Sequence, residues 1–168
     1  MRLPKARMEI RAFFVIIAMN EPLSLLQWRQ QVKLSGKKLV TCTGCFDILH
    51  KGHLSYLKAA KEFGDVLLVG INSDASVRQL KGSTRPINNE LDRKEILDAL
   101  KIVDFSFIYN NTARFLTLVQ ADVWVKGGDY TLETLNKEEV EAVSYYNGEI
   151  KIIPYLSGYS TTNILKSV

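Results

Sequence analysis

KLVTCTGCFDILHKGHLSYLKAAKEFGDVLLVGI, residues 38–71, decides the architecture. Lys38–Cys42 is a short apolar run that reads as a buried strand. His53–Phe63 places Leu54, Leu57 and Ala60 on one helical face, and Gly64 stands where such a helix stops. Val66–Ile71 is apolar without interruption, as expected of a strand covered on both faces. The loop between the first strand and the helix, from Cys42 to His53, holds both cysteines and both histidines of the chain.

The same alternation extends outward on both sides. Leu25, Leu26, Val32 and Leu34 suit an amphipathic helix that ends near Gly36. Ser73–Leu80 predicts a short helix, and KGSTRPINN, residues 81–89, is loop chemistry. Asn89 is positioned to cap a helix over Glu90–Leu100, with acidic residues in its first turn. A strand at Phe105–Tyr109, a helix over Ala113–Gln120 capped by Thr112, and a strand at Asp122–Lys126 follow. Lys137–Tyr146 is helical and closed by Gly148, Glu149–Pro154 is a last strand, and Ser160–Lys166 a last short helix. Five strands separated by helices predict one α/β domain, doubly wound, with a five-stranded parallel sheet and helices on both faces. Ligands of such sheets sit beyond the carboxyl ends of the strands, which singles out the loops after Cys42, Ile71 and Lys126.

Composition narrows the function classes. The 168 residues are 46% hydrophobic, enough for one domain with a substantial core. The net charge of +4 is uneven: residues 1–38 carry eight Lys/Arg against two Asp/Glu, and the rest fourteen against sixteen. A basic arm on a slightly acidic body is not a basic binding face, so no nucleic-acid partner is expected. Two cysteines three apart make no secreted disulfide framework and point to a reducing, cytoplasmic setting. Residues 1–22 read as an N-terminal extension and 23–168 as the domain. The apolar run Ala12–Met19 is far shorter than the roughly 20 residues that span a bilayer, so no membrane partner is expected. It suits an added strand or docking arm, an upstream extension with Met19 as the start, or an export signal.

The loop itself admits three chemistries. Cys-x-x-Cys followed by His-x-x-His offers four zinc-ligand types, but only four residues separate Cys45 from His50, too few for a zinc-finger hairpin. A redox Cys-x-x-Cys should open a helix, whereas Gly44 and Asp47 stand in a longer loop here. In the third reading His50 and His53, three apart at a helix start, turn their rings the same way. A helix N-terminus offers N–H groups to phosphate oxygens; Gly52 leaves the backbone bare between the rings, and Gly44 lets the strand-end loop approach a nucleotide. The chain contains no Walker A or dinucleotide glycine motif.

Gly44-Cys45-Phe46-Asp47 followed by His50-Lys51-Gly52-His53 resembles the G-x-F-D-x-x-H-x-G-H signature of the cytidylyltransferase-like nucleotidyltransferases. The resemblance runs from about Lys38 onward. It includes Asn72-Ser73-Asp74, Arg93, Lys126-Gly127-Gly128-Asp129-Tyr130 and Ser160-Thr161-Thr162-Asn163. NSDASVRQLKGSTRPIN, VKGGDY and STTNI look most like the branch that makes ADP-heptose from heptose 1-phosphate, and cysteine at position 45 suits that branch.

The resemblance implies a Rossmann-like fold and attack by a sugar-phosphate oxygen on the α-phosphorus of ATP. His50, His53, Lys81 and Arg93 are then the expected catalytic residues. Gly44, Cys45, Phe46, Asp47, Gly52, His53, Lys126, Gly128, Asp129, Ser160, Thr161 and Thr162 are expected around the nucleotide, and Asp74 and Lys81 around the acceptor. Mg²⁺ is expected as a phosphate-bridging ion with no protein ligands. A separate sugar kinase upstream and a homo-oligomer, a dimer, are implied as well. The alternatives are a cytidylyltransferase acting on glycerol 3-phosphate and, outside catalysis, a nucleotide-binding or zinc/redox module.

Overall fold

The computed structural model describes residues 23–128, 130–154, 156, 158, 159 and 161. Helix α1 (Leu23–Leu34) leads into β1 (Leu39–Gly44), α2 (Lys51–Lys61), β2 (Val66–Asn72) and α3 (Asp74–Lys81). Then come α4 (Glu90–Asp98), β3 (Phe105–Tyr109), α5 (Thr112–Val119), β4 (Val123–Gly127), α6 (Lys137–Tyr145) and β5 (Glu149–Ile153). The expected extension 1–22 and most of the expected last helix, including Asn163, lie outside the described residues; Thr161 is helical.

The strands form one sheet in the order β3-β2-β1-β4-β5. Every pairing is parallel, with Cys42 of β1 opposite Val69 on one side and Val125 on the other. Period-2 side-chain alternation divides the core. Leu39, Leu68 and Trp124 face Leu25 of α1, Phe115, Leu116 and Val119 of α5, and Val143 of α6. Val40, Cys42, Leu67, Val69 and Val125 face Leu57 and Ala60 of α2 and Leu97 of α4. The doubly wound sheet read from the sequence is therefore the one observed. The chain winds outward from β1 through β2 to β3, then returns past β1 to lay down β4 and β5. Adjacent β1 and β4 thus send their connections in opposite directions, and the crevice at their carboxyl ends is where ligands of such folds bind.

Local chemistry shifts some boundaries. β1 extends to Gly44, two residues beyond the expected end. Helix α2 starts at Lys51 because His50 caps it, its Nδ1 accepting the backbone N–H groups of Gly52 and His53. Asn111, not Thr112, caps α5, its side chain accepting the Arg114 N–H. Lys81 is the last residue of α3 rather than part of the following loop. Ser73, Asn89 and Asn136 cap α3, α4 and α6. Asparagine and serine at these places satisfy N–H groups that the first helical turn leaves open.

Candidate active site

A cleft of about 460 Å³ opens at the carboxyl end of the sheet, within the roughly 300–1,000 Å³ range of small-molecule sites. His50 and His53 stand side by side in its wall, with ring centroids 3.9 Å apart and planes 22° apart. Because His50 Nδ1 accepts two backbone N–H groups, at 3.1 Å from Gly52 and 3.4 Å from His53, its proton in the neutral form belongs on Nε2. Partial burial lowers the pKa of His50. Burial first, and the neighbouring His50 second, lower that of His53 to about 4 against a slight opposing effect of the Ile48 backbone. His53 Nδ1 is buried and closes no hydrogen bond. Burial thus disfavours the charged form of both rings.

The two motif glycines serve side chains of the protein itself. A Cβ on Gly52 would lie 2.9 Å from His50 Cε1 and 3.0 Å from Tyr159 Cβ, so its bare backbone admits the capping ring and the C-terminal segment. A Cβ on Gly44 would lie 3.0 Å from the Phe46 ring, which folds back across it. Phe46 has φ 49°, a left-handed conformation uncommon for a bulky residue. Its ring is buried and tilted against His53 at 5.3 Å. The expected close approach of nucleotide to Gly44 and Gly52 is thus partly taken up by Phe46, His50 and Tyr159.

Asp47 is 2% exposed and holds the loop after α3. Its Oδ1 accepts the N–H groups of Ile87 at 2.8 Å and Asn88 at 2.9 Å, and its Oδ2 accepts Arg85 Nε. Burial alone would raise its pKa, but the bonds from Asn88, Ile87 and Arg85 outweigh burial and lower it. Asp47 is a clamp, and it does not orient a histidine.

Arg93, expected among the catalytic residues, is 1% exposed and is absent from the cleft lining. It donates to the carbonyls of Cys45 and Asn88 and, at 2.8 Å, to Asp74 Oδ1, tying together the loops after β1, β2 and α3. Asp74, expected at the acceptor, is committed to Arg93 and likewise lies off the cleft. Gly128 is buried off the lining, with φ 135° and its N–H donated to Ile153. Lys81, Lys126, Cys45 and Thr161 do line the cleft. Asp129, Ser160 and Thr162 lie outside the described residues.

Burial disfavours the thiolate of both cysteines. Cys42 is fully buried in the sheet, and burial pushes its thiol up to about 12. Burial also raises Cys45, more than the nearby Lys81 and Arg93 lower it.

The cleft also gathers residues that motif reading did not single out for it. Arg85 comes from the loop clamped by Asp47. Tyr109 and Thr112 stand at the end of β3 and the start of α5, a position the carboxyl-end rule could have flagged. Glu139, in the first turn of α6 and with no motif to mark it, pairs with Lys126 at 2.9 Å. Tyr56 crosses from α2 to donate to the Val125 carbonyl at 2.7 Å.

With this geometry in place, the chain can be set beside known proteins. The family model described as cytidylyltransferase-like matches residues 41–167. The bifunctional protein HldE of Geotalea uraniireducens is 48% identical over 138 residues, 81% of this chain and 28% of that protein. The protein of the same name from Marinomonas sp. is 42% identical over 147 residues, 86% of this chain and 30% of its own length. The chain thus spans less than a third of the curated relatives it matches. A lipopolysaccharide core biosynthesis protein from Thermoplasma volcanium, solved by crystallography, superposes with a TM-score of 0.60 at 30% identity, over 74% of this chain and all of that one.

Proposed function

This chain belongs to the cytidylyltransferase-like family of nucleotidyltransferases, and on that premise we propose that it transfers AMP from ATP to heptose 1-phosphate, releasing pyrophosphate and forming ADP-heptose for lipopolysaccharide core synthesis. The observation that carries the reading is the stacked His50–His53 pair at the start of α2, inside a cleft also lined by Lys81 and Arg85. The sugar follows from the resemblance of NSDASVRQLKGSTRPIN, VKGGDY and STTNI to the ADP-heptose branch, and a solved neighbour named for lipopolysaccharide core biosynthesis supports it.

An oxygen of the sugar phosphate attacks the α-phosphorus, the bond to the bridging oxygen of pyrophosphate breaks, and no covalent enzyme intermediate forms. The chain's task is alignment and relief of developing negative charge. His50, with Nδ1 engaged by the cap, offers Nε2–H to the triphosphate; His53 stands beside it. Lys81 and Arg85 draw the two anions together. Cys45 and Phe46 bound the nucleotide, and Thr161, with Ser160 and Thr162, meets the β- and γ-phosphates. Arg93 acts as a positioning residue through Cys45, Asn88 and Asp74.

Mg²⁺ fits this cleft as an ion carried by the phosphates. Among the described residues, both carboxylates of the lining are already paired, Asp47 with Arg85 and Glu139 with Lys126. The ion would neutralise phosphate charge when bound. A sugar kinase acting upstream and self-association belong to the same reading.

Pyrophosphate release with ATP plus heptose 1-phosphate, against CTP plus glycerol 3-phosphate, tests the assignment. Strong release from the first pair is expected; strong release from the second pair alone overturns it.

A further inference from the structure

The cleft has two chemically different ends. Around His50 and His53 it offers N–H donors and the cations Lys81 and Arg85, a setting for phosphate. Its floor is different. Thr43, Asn72, Tyr109 and Glu139 are each less than a tenth exposed and come from four separate elements, and all line the cleft.

These groups converge. Tyr109 Oη donates to Asn72 Oδ1 at 3.1 Å, Thr112 Oγ1 lies 3.5 Å from Tyr109 Oη, and the Tyr109 hydroxyl also feels the Thr43 hydroxyl and the Glu139 charge. Glu139 is neutralised by Lys126, whose ammonium is held over the rings of Trp124 at 5.2 Å and Tyr130 at 5.4 Å. The floor is therefore dense in donors and acceptors, carries no uncompensated charge, and is fixed by packing. Such a surface suits several hydroxyls presented in a set geometry, and it does not suit another phosphate. These groups are held by one another, by Ser76 at 2.9 Å from Asn72 and by the Trp124 indole at 3.4 Å from Thr43, so a ligand hydroxyl is read by the capacity left over, chiefly the further lone pairs of Glu139 and protons of Lys126.

Position decides which hydroxyls. Asn72 ends β2, and α3, which starts two residues later, carries Lys81 at its far end. Cys45 lines the cleft within electrostatic range of Lys81 and Arg85 and also of Tyr109, so the ring attached to a phosphate near those cations lies within reach of Tyr109. Resting on the proposed transfer to a sugar phosphate, we propose that Tyr109, Thr112 and the Lys126–Glu139 pair form the subsite that reads the ring hydroxyls of the acceptor sugar, with Glu139 the specificity-determining residue.

The test is steady-state pyrophosphate release by wild type, E139Q and Y109F, varying heptose 1-phosphate and ATP separately. Y109F retains the ring that stacks on Phe115 at 4.8 Å and removes only the hydroxyl, so it reports on the subsite even where E139Q loosens α6. The expected result is a KM for the sugar phosphate raised about tenfold or more in E139Q and about threefold or more in Y109F, with the KM for ATP within twofold of wild type. An active wild type whose variants keep the sugar KM, or raise that for ATP instead, overturns the subsite and leaves the transfer reaction standing. A wild type that releases no pyrophosphate with any sugar phosphate overturns both.

Discussion

His50 serves two functions with one ring, and substitutions can separate them. Its Nδ1 caps α2, the residue lines the cleft, and in the proposed reaction its Nε2 is the donor. His50→Asn replaces the capping acceptor with a good one and deletes the outward donor, so it should keep its melting temperature and lose turnover. His50→Ala should lose turnover and also about 1 kcal/mol of stability, read by chemical denaturation. His53→Ala should lower kcat by roughly 10²–10³, the usual effect of removing one donor to a developing charge, while circular dichroism remains that of the wild type. His53 also makes stability depend on pH. Its pKa in the fold, about 4, lies below the ordinary 6.5. Between those values the unfolded chain binds a proton that the folded chain refuses, so stability falls as pH falls through that window and levels off below it. His53→Asn should flatten that limb of the stability–pH curve; an unchanged slope would show that burial of this ring is not responsible. The resemblance pointed to both histidines. Their three-residue spacing also placed the rings together, whereas the cap and the resulting tautomer depend on the backbone of Gly52 and His53, which spacing does not encode.

Among the elements, the strands and helices were legible because periodicity is local: VLLVGI reads as a strand covered on both faces, and β2 is buried at every position. Boundaries were less so, since caps decide them. A histidine capping α2 and an asparagine one residue before the expected Thr112 both shifted an end. The least legible feature was the knot of loops around Arg93. Its three connections, to Cys45, Asn88 and Asp74, join segments 48, 5 and 19 residues away, and no local pattern reveals that an arginine in an acidic helix turns inward. Arg93→Ala should cost about 3–5 kcal/mol, because Asp74 loses its partner and buried carbonyls lose their donors. That corresponds to roughly 10 °C in Tm for a chain of this size. Loss of activity without loss of stability would place Arg93 against substrate instead.

For the whole molecule, the sheet order β3-β2-β1-β4-β5 gathers loops from distant parts of the chain at one edge. The carboxyl-end rule located that edge from sequence. It could not supply Glu139, which enters from the first turn of α6, or distinguish Asp74 and Arg93, which brace the cleft, from Lys81, which lines it. Ligand at about 100 times its Kd stabilises a fold by about 2.7 kcal/mol. ATP with Mg²⁺ should accordingly raise Tm by roughly 5–10 °C in a thermal shift. If the two imidazoles at the start of α2 hold a nucleotide's phosphates, a crystal structure with a non-hydrolysable ATP analogue will place phosphate oxygens within hydrogen-bond distance of His50 Nε2 and against His53. A triphosphate seated elsewhere, with both rings unengaged, would rule that role out.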